Sequence, residues 1–451
     1  MFCGLLLAAG LAAGRPLAAQ AAPALAPTPP MGWNSWDSYA MSLDQAQYKA
    51  TARWMAQHLR RYGWRYMVID EGWFLKNPLS GGKPGWQYTL GGDGILLPAP
   101  NRFPSARGGA GFKPLAAFTH RLGLRFGIHI LRGIPRAAVA HNLPIAGSRF
   151  HARDAANPAD TCAWNADNYG VRDNAAGQAW YDALFRRYAQ WGVDYVKVDC
   201  ISSPYKGAEI RMIHRAIEHA GGRIVLSLSP GPTPIAQAAQ VERLAQLWRI
   251  SGDFWDHWPA LPWASWSQGL YGQFDLLARW ERFAGPGHWP DADMLPIGMI
   301  GPHPGLGKPR RSHFTHDEER TILTLWSVAR SPLMMGGNLL QLDAWTQRLL
   351  TNPEVLAVDQ HSRGNRALST TAQQAIWVAR PERGAGIYVA VFNRGDRSQA
   401  IRVTWTELGL QPGSSYQARD LWRRRNLGNL RRLAVRLRAH AAALFRLRPA
   451  G

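Results

Sequence analysis

Cysteine is nearly absent from this chain, and so is any long apolar run beyond the N-terminus. Only 3 of the 451 residues are cysteine, which excludes a small fold held together by several disulfides. After residue 21, no segment approaches the roughly 18 uninterrupted apolar residues of a transmembrane helix, so we expect no membrane span. A hydrophobic content of 46% excludes a disordered chain and predicts globular domains.

Acidic residues are scarce relative to basic ones. The sequence has 31 Asp and Glu against 52 Lys and Arg, for a net charge of +21. Such an excess is typical of proteins that bind nucleic acid or a membrane surface. No nucleic-acid-binding motif accompanies the basic residues, which are mostly arginines spread along the chain. We therefore expect an arginine-rich solvated surface and no nucleic-acid partner.

The N-terminus predicts export to the periplasm or the extracellular space. Residues 2–13 are apolar, and Ala19-Gln20-Ala21 has the small-x-small form of a cleavage site. We predict a signal peptide over residues 1–21 and an Ala/Pro-rich linker over residues 22–30. Removing the signal also removes Cys3, which leaves Cys162 and Cys200. In an exported chain this pair suggests one disulfide, and two buried free thiols are the alternative.

Residues 31–357 alternate short apolar runs with helical patterns, which is typical of parallel strands joined by crossover helices. The predicted strands are residues 31–36, 66–70, 125–130, 194–199, 224–229, 247–251, 288–294 and 331–335. Eight such repeats predict an α/β fold of the (β/α)8 TIM-barrel type. A doubly wound open sheet is the alternative. We favour the barrel because residues suited to catalysis or binding lie at the end of nearly every predicted strand. A barrel brings all of these strand ends together at one opening, whereas an open sheet does not.

Residues 358–451 follow a different pattern. Runs at 375–379, 386–392, 400–404 and 433–437 alternate with period two and are separated by turn-rich pieces. This pattern predicts a small C-terminal antiparallel β-sandwich. We find no catalytic group of residues in it and expect a packing role.

The segment around residue 199 carries the first candidate catalytic carboxylate. Alternation along the strand puts Lys197 and Asp199 on one face, which points to the mouth of a barrel. A lysine beside the aspartate keeps the carboxylate ionised, as a nucleophile requires. A structural salt bridge is the alternative.

Two further segments offer carboxylates. Asp253 follows a strand end across Gly252, where it suits a general acid, and we expect Phe254 and Trp255 to shield it from water. A helix N-cap is the alternative role. Asp291 and Asp293 share one face, where one carboxylate suits binding of sugar hydroxyls and the other suits bracing of the loop, and a metal site is the alternative. No nearby His or Cys completes a metal-ligand set, so we expect no metal and no cofactor.

Five motifs together resemble those of glycoside hydrolase family 27, which includes α-galactosidases and α-N-acetylgalactosaminidases. They are Met31-Gly32-Trp33-Asn34-Ser35-Trp36, Ile69-Asp70-Glu71-Gly72-Trp73, Val196-Lys197-Val198-Asp199, Trp248-Arg249 with Asp253, and Asp291-Ala292-Asp293-Met294. The resemblance covers residues 29–360 in order and spacing, and this family also carries a β-sandwich after its barrel.

The resemblance implies roles for individual residues. Asp199 corresponds to the nucleophile and Asp253 to the general acid/base of a retaining mechanism. Substrate-binding roles are implied for the remaining candidates, which are Trp36, Asp70, Glu71, His129, Lys197, Ser229, Arg249, Asp293 and Met294. Many family members bridge a cysteine beside the nucleophile strand, and Cys162 with Cys200 resembles that pair.

Three departures from the family pattern concern sugar recognition. Galactose-specific members commonly have Asp where Glu71 stands and Tyr where His129 stands. They end the fifth strand in Glu-Trp-Pro, or in Ser-Trp-Pro for N-acetylgalactosamine, whereas this chain has Ser229 followed by Pro230. The expected function is hydrolysis of a terminal α-linked galactoside with retention. The alternatives are an isomaltose-releasing, β-L-arabinopyranoside-cleaving or α-N-acetylgalactosaminide-cleaving relative, or a carbohydrate-binding barrel without activity.

Overall fold

The structure is a computed structural model that describes residues 25–79, 85–259, 266–301 and 308–450. The predicted signal peptide, the start of the linker and Cys3 lie outside the described residues. In the described part of the chain, no helix has the length and apolar character needed to cross a membrane. The described end of the predicted linker packs on the fold, since Ala26 is buried and its carbonyl accepts a hydrogen bond from Trp289 Nε1 at 2.8 Å.

In the part of the chain that the structure describes, eight parallel strands form the central sheet. Seven of them lie within a predicted strand segment, and the third extends one residue beyond its segment. They are β1 (Met31–Asn34), β2 (Tyr66–Ile69), β3 (Arg125–Leu131), β4 (Tyr195–Asp199), β5 (Val225–Leu228), β6 (Leu247–Arg249), β7 (Trp289–Asp291) and β8 (Leu333–Met335). Their spatial order is β7-β6-β5-β4-β3-β2-β1-β8. The strands follow chain order around the sheet, which excludes the doubly wound alternative because that fold reverses its order at a switch point.

The sheet is curled, and its two edges approach each other. Leu295, just after β7, bridges Met335 of β8 in parallel fashion, and its N–H donates to the Met334 carbonyl at 2.7 Å. Strands β2, β5 and β8 are buried along their whole length, as expected for a parallel sheet covered on both faces. This arrangement fits a TIM barrel.

Within the described ranges, twelve α-helices accompany the strands. They are α1 (Trp36–Tyr39), α2 (Gln45–His58), α3 (Lys113–Arg121), α4 (Arg136–Ala140), α5 (Ala152–Ala155), α6 (Ala175–Trp191), α7 (Gly207–His219), α8 (Ala238–Leu244), α9 (Leu270–Trp280), α10 (His316–Ala329), α11 (Ala344–Leu350) and α12 (Pro353–Gln360). Local sequence explains their bounds. Thr315 caps α10 through a reciprocal pair of hydrogen bonds with Glu318, and Gly192 ends α6 with φ at +81°.

Short strands build the loops at the carboxyl ends of the sheet. Asp253–Phe254 pairs with Ser267–Gln268, and Met299–Ile300 pairs with Arg310–Arg311. A three-stranded sheet of Ile134–Pro135, Asn168–Val171 and Ala156–Thr161 follows β3. These pairings hold the loops in defined positions near the strand ends.

The C-terminal part of the chain is antiparallel, as predicted. Its strands are β9 (Ser362–Thr370), β10 (Gln374–Pro381), β11 (Ile387–Asn393), β12 (Gln399–Val403), β13 (Tyr416–Asp420), β14 (Arg425–Leu430), β15 (Leu433–Leu437) and β16 (Ala442–Pro449). Six form a sheet in the order β9-β10-β11-β16-β13-β14, and β12 pairs with β15. The predicted boundary at residue 358 lies inside α12.

The central strands of the six-stranded sheet, β10, β11 and β16, are buried on both faces over most of their length, which joins the two parts of the molecule. Along β10, Ile376 and Val378 face the β-sandwich core, whereas Trp377 and Ala379 belong to the core of the parallel sheet and its helices. Polar contacts extend this interface, and Thr321 of α10 donates to the carbonyl of His440 at 2.6 Å. The packing keeps the β-sandwich fixed behind α10.

Candidate active site

A cavity of about 660 Å³ lies at the carboxyl ends of the parallel strands. Its volume is in the range of small-ligand sites. Of the eleven predicted site residues, ten line it: Trp36, Asp70, Glu71, Lys197, Asp199, Ser229, Arg249, Asp253, Asp293 and Met294. They come from six of the eight strands or from the residues that directly follow them, so the curl of the sheet brings together side chains that are far apart in sequence.

Asp199, at the end of β4, is held as a carboxylate. Its Oδ2 lies 3.4 Å from His129 Nε2, and its Oδ1 accepts the Cys200 backbone N–H at 2.8 Å. Burial works to raise the pKa of Asp199, but the hydrogen bond and charge of His129, together with Lys197, hold that pKa below its ordinary value. An ionised, partly enclosed carboxylate is suited to nucleophilic attack.

Asp70 and Lys197 form a buried ion pair on the floor of the cavity. Lys197 Nζ lies 3.0 Å from Asp70 Oδ2, which also accepts from Asn34 Nδ2 at 2.7 Å. Burial acts against the charge of Asp70, yet Lys197 and His129 hold its pKa well below its ordinary value. Both charges are therefore present at neutral pH, and both can contact sugar hydroxyls without rearrangement.

Arg249 contacts two carboxylates, one that follows its own strand β6 and one that follows the neighbouring strand β7. Its guanidinium lies 2.6 Å from Asp293 and 3.3 Å from Asp253. Asp293 has φ at +87°, an unfavourable region for a residue with a side chain, and it accepts the Phe254 N–H at 2.8 Å. Strained backbone of this kind is held by the surrounding contacts and is concentrated at functional sites.

The expected shielding of Asp253 is not present. Its side chain is 50% exposed, because Phe254 packs against Trp326 and Phe314, with ring centroids at 5.1 and 6.0 Å. Asp253 stands at the open side of the cavity, where water has access to its carboxylate.

His129 lies behind the cavity instead of lining it. Its side chain is 2% exposed, and its carbonyl accepts a hydrogen bond from Trp73 Nε1 at 2.7 Å. Burial lowers the tendency of His129 to be charged, but Asp70 and Asp199 outweigh this and raise its pKa. In this position His129 supports Asp199 and does not face the cavity.

Further residues line the cavity, and three of them are side chains of functional interest that were not among the predicted site residues: Asp37, Trp164 and Trp266. Asp37 is buried against Gly336, where an added Cβ would lie 1.8 Å from its Oδ2, and burial and then the charge of Asp293 raise the pKa of Asp37 well above its ordinary value. Trp164 and Trp266 stand on the cavity with large exposed areas. Asp37 follows a predicted strand next to Trp36 and was recognisable by that position, whereas neither tryptophan lies in a strand or motif.

Cys162 and Cys200 form a disulfide beside Asp199, as expected. Cys200 has φ at +60°, and its carbonyl accepts a hydrogen bond from Arg132 Nε at 2.7 Å. Arg132 itself is buried and pairs with Glu209 at 2.6 Å and Asp160 at 2.7 Å. A covalent bond and an ion network thus fix the backbone next to the candidate nucleophile.

Comparison with known proteins agrees with this geometry. Residues 158–361 match the family model described as alpha galactosidase A, and residues 371–447 match that of the alpha galactosidase C-terminal beta sandwich domain. A crystal structure of a glycoside hydrolase family 27 β-L-arabinopyranosidase from Geobacillus stearothermophilus is 45% identical, with a TM-score of 0.88 and coverage of 94% of this chain and 97% of that one.

More distant relatives are α-galactosidases. Those of Coffea arabica and Cyamopsis tetragonoloba are 28% and 26% identical, and each alignment covers 94% of this chain with 94% and 87% of the relative. Fold, cavity and relatives together define a glycosidase with a carbohydrate substrate. More particularly, the chain belongs to glycoside hydrolase family 27.

Proposed function

We propose that this protein is a retaining exo-glycosidase that hydrolyses terminal β-L-arabinopyranosides. The observation that carries the proposal is the 45% identity to a β-L-arabinopyranosidase over 97% of its length, compared with 28% or less to the α-galactosidases above. The two sugars are closely related. β-L-Arabinopyranose has the ring configuration of α-D-galactopyranose and lacks only the hydroxymethyl group on C5.

Glu71 supports this choice of sugar. It lines the cavity where galactose-specific members have an aspartate, so its side chain is one methylene longer. It has little freedom to withdraw, because its Oε1 accepts a hydrogen bond from the buried Asn165 at 2.5 Å. The longer side chain reduces the room for a substituent on the sugar ring, and the sugar without the hydroxymethyl group suits the smaller space.

The proposed mechanism uses two carboxylates. Asp199 attacks the anomeric carbon while Asp253 protonates the departing oxygen, which gives a covalent glycosyl-enzyme. Asp253 then removes a proton from water as the water attacks the same carbon, and the bond from that carbon to Asp199 breaks, which releases the sugar and restores the Asp199 carboxylate. The lowered pKa of Asp199 supports its role as nucleophile, and the exposure of Asp253 supports the entry of water. Asp70, Lys197 and Asp293 are proposed to hold the sugar hydroxyls.

A terminal α-galactoside is the second candidate substrate. It is favoured by the family model and by the relatives from Coffea arabica and Cyamopsis tetragonoloba, which are named α-galactosidases. The two candidates share the reaction and differ in the substituent on C5. A direct comparison of the two glycones therefore decides between them.

The test compares 4-nitrophenyl β-L-arabinopyranoside with 4-nitrophenyl α-D-galactopyranoside. We expect kcat/KM to favour the arabinopyranoside by roughly 10- to 200-fold, the range that one misplaced methylene produces in a fitted pocket. Glu71→Asp should shift the ratio towards the galactoside, and Glu71→Gln, which keeps the length, should not. A wild-type preference for the galactoside would support the second candidate, and turnover of neither would refute both.

A further inference from the structure

Two tryptophans at the cavity are exposed to solvent. Trp164 and Trp266 are 48% and 60% exposed as whole residues. Within the described ranges, five large apolar side chains are exposed, and the two tryptophans among them both line this cavity. An exposed indole has a large apolar face in contact with water, and such faces at a binding site are typical of ligand contacts.

Trp266 lies beside the proposed general acid. The backbones of Asp253 and Ser267 are paired in a short parallel bridge, so Trp266 neighbours Gly252 across that bridge. The approach is close, since a Cβ at Gly252 would lie 2.3 Å from the Trp266 carbonyl oxygen. The oxygen of the departing group must reach Asp253 to be protonated. Atoms attached to that oxygen therefore pass close to Trp266.

Trp164 lies on a second segment, which a disulfide and a hydrogen bond hold in place on either side of it. Cys162, two residues earlier, is cross-linked to Cys200 beside Asp199. Asn165, the next residue, donates a hydrogen bond to Glu71 at 2.5 Å. The position of Trp164 is therefore fixed relative to the cavity, even though its ring is exposed.

We propose that Trp266, with Trp164 as a second wall, binds the leaving group of the substrate, and that this leaving group is a pyranose ring. The proposal rests on the proposed function and names the substrate class, which is an oligosaccharide or polysaccharide with the terminal sugar linked to another pyranose. The axial C–H groups of a pyranose form an apolar face that matches an indole ring, and its rim of hydroxyls stays in water. Covering the rings removes apolar surface from water and favours binding.

The test uses two substrates with the same terminal sugar, which is the one that wild-type protein turns over in the comparison above. One is a disaccharide with a pyranose leaving group, and the other is the methyl glycoside. Both release an alcohol that needs protonation by Asp253, and they differ in the presence of the second ring. In Trp266→Ala we expect the ratio of kcat/KM for the disaccharide to that for the methyl glycoside to fall about tenfold, which corresponds to ~1.4 kcal/mol of lost contact.

Two further variants test whether the effect depends on an aromatic ring at the cavity. Trp266→Phe keeps an aromatic face and should recover part of the ratio. Leu340→Ala removes an exposed apolar side chain that is not among the cavity residues, and its ratio should equal that of wild type. The loss in Trp266→Ala should appear mainly in KM, since the ring is bound in the ground state as well as in the transition state.

An unchanged ratio in Trp266→Ala would overturn the proposal. An equal fall for both substrates would also overturn it, because Trp266 would then act on the terminal sugar or on Asp253. A failure of the proposed function is distinguishable from these outcomes, because in that case the wild-type protein does not turn over the arabinopyranoside. That failure changes the terminal sugar used in the pair and leaves the comparison between the two leaving groups intact.

Discussion

The disulfide between Cys162 and Cys200 allows a quantitative prediction. It joins residues 38 apart in sequence, and closing a loop of that length lowers the entropy of the unfolded chain by about 13 cal/mol/K. At 25 °C this corresponds to about 4 kcal/mol of stability. We therefore expect Cys162→Ala to lower the free energy of unfolding by about 4 kcal/mol.

The choice of Cys162 separates stability from catalysis. Cys200 remains in place, so its N–H can still donate to Asp199 Oδ1, now 2.8 Å away, and Arg132 Nε can still hold its carbonyl. We expect kcat of the folded variant at 25 °C to fall by less than tenfold, because these two hydrogen bonds are worth about 1–3 kcal/mol each and persist without the cross-link.

The assay is urea unfolding followed by tryptophan fluorescence, with and without reductant. Reductant should shift the oxidised wild-type protein to the midpoint of Cys162→Ala and should leave the midpoint of the variant unchanged. If oxidised wild-type protein and the variant unfold at the same urea concentration, the entropic reasoning is refuted. A folded variant without activity would show that the cross-link itself positions Asp199.

Two further predictions concern the nucleophile and a buried glutamate. Asp199→Gly should abolish hydrolysis of a natural glycoside, and azide should restore turnover of an activated aryl glycoside with a product of inverted anomeric configuration, measured by NMR; near-normal hydrolysis would refute the assignment. Burial raises the pKa of Glu319 from 4.5 to about 7, although Trp345 Nε1 donates to it at 2.7 Å. The unfolded chain releases this proton near pH 4.5 and the folded chain only near pH 7, so wild-type stability falls between these values. Glu319→Gln should gain up to about 3 kcal/mol over wild type as pH rises through that window, and a pH-independent difference in thermal unfolding would contradict this.

Local patterns predicted the elements of the parallel sheet because a buried strand is a short apolar run between turn signals. All eight strands of the curled sheet occupy predicted segments. The strands of the C-terminal region were predicted less completely. The exposed β14 (Arg425–Leu430) has no apolar alternation, and β16 (Ala442–Pro449) packs on both faces, so its core positions do not alternate simply.

The sequence by itself determined which residues carry chemistry and which face of a strand they occupy. Lys197 and Asp199 share a face because side chains alternate along any strand, whatever surrounds it. The motifs around Asp70, Arg249 and Asp293 likewise placed these residues at strand ends.

Only the tertiary structure decided which of these side chains line the cavity and how exposed each one is. The curl of the sheet places His129 behind Asp199 and out of the cavity, and loop pairing turns Phe254 into the core while Asp253 stays exposed. The same loop pairing brings Trp266 to the cavity, and a separate loop beside the disulfide brings Trp164 there. Burial, and contact between loops that are distant in sequence, depend on how the strands and loops pack in three dimensions. Hydrophobic periodicity reports only local structure and therefore does not predict this packing.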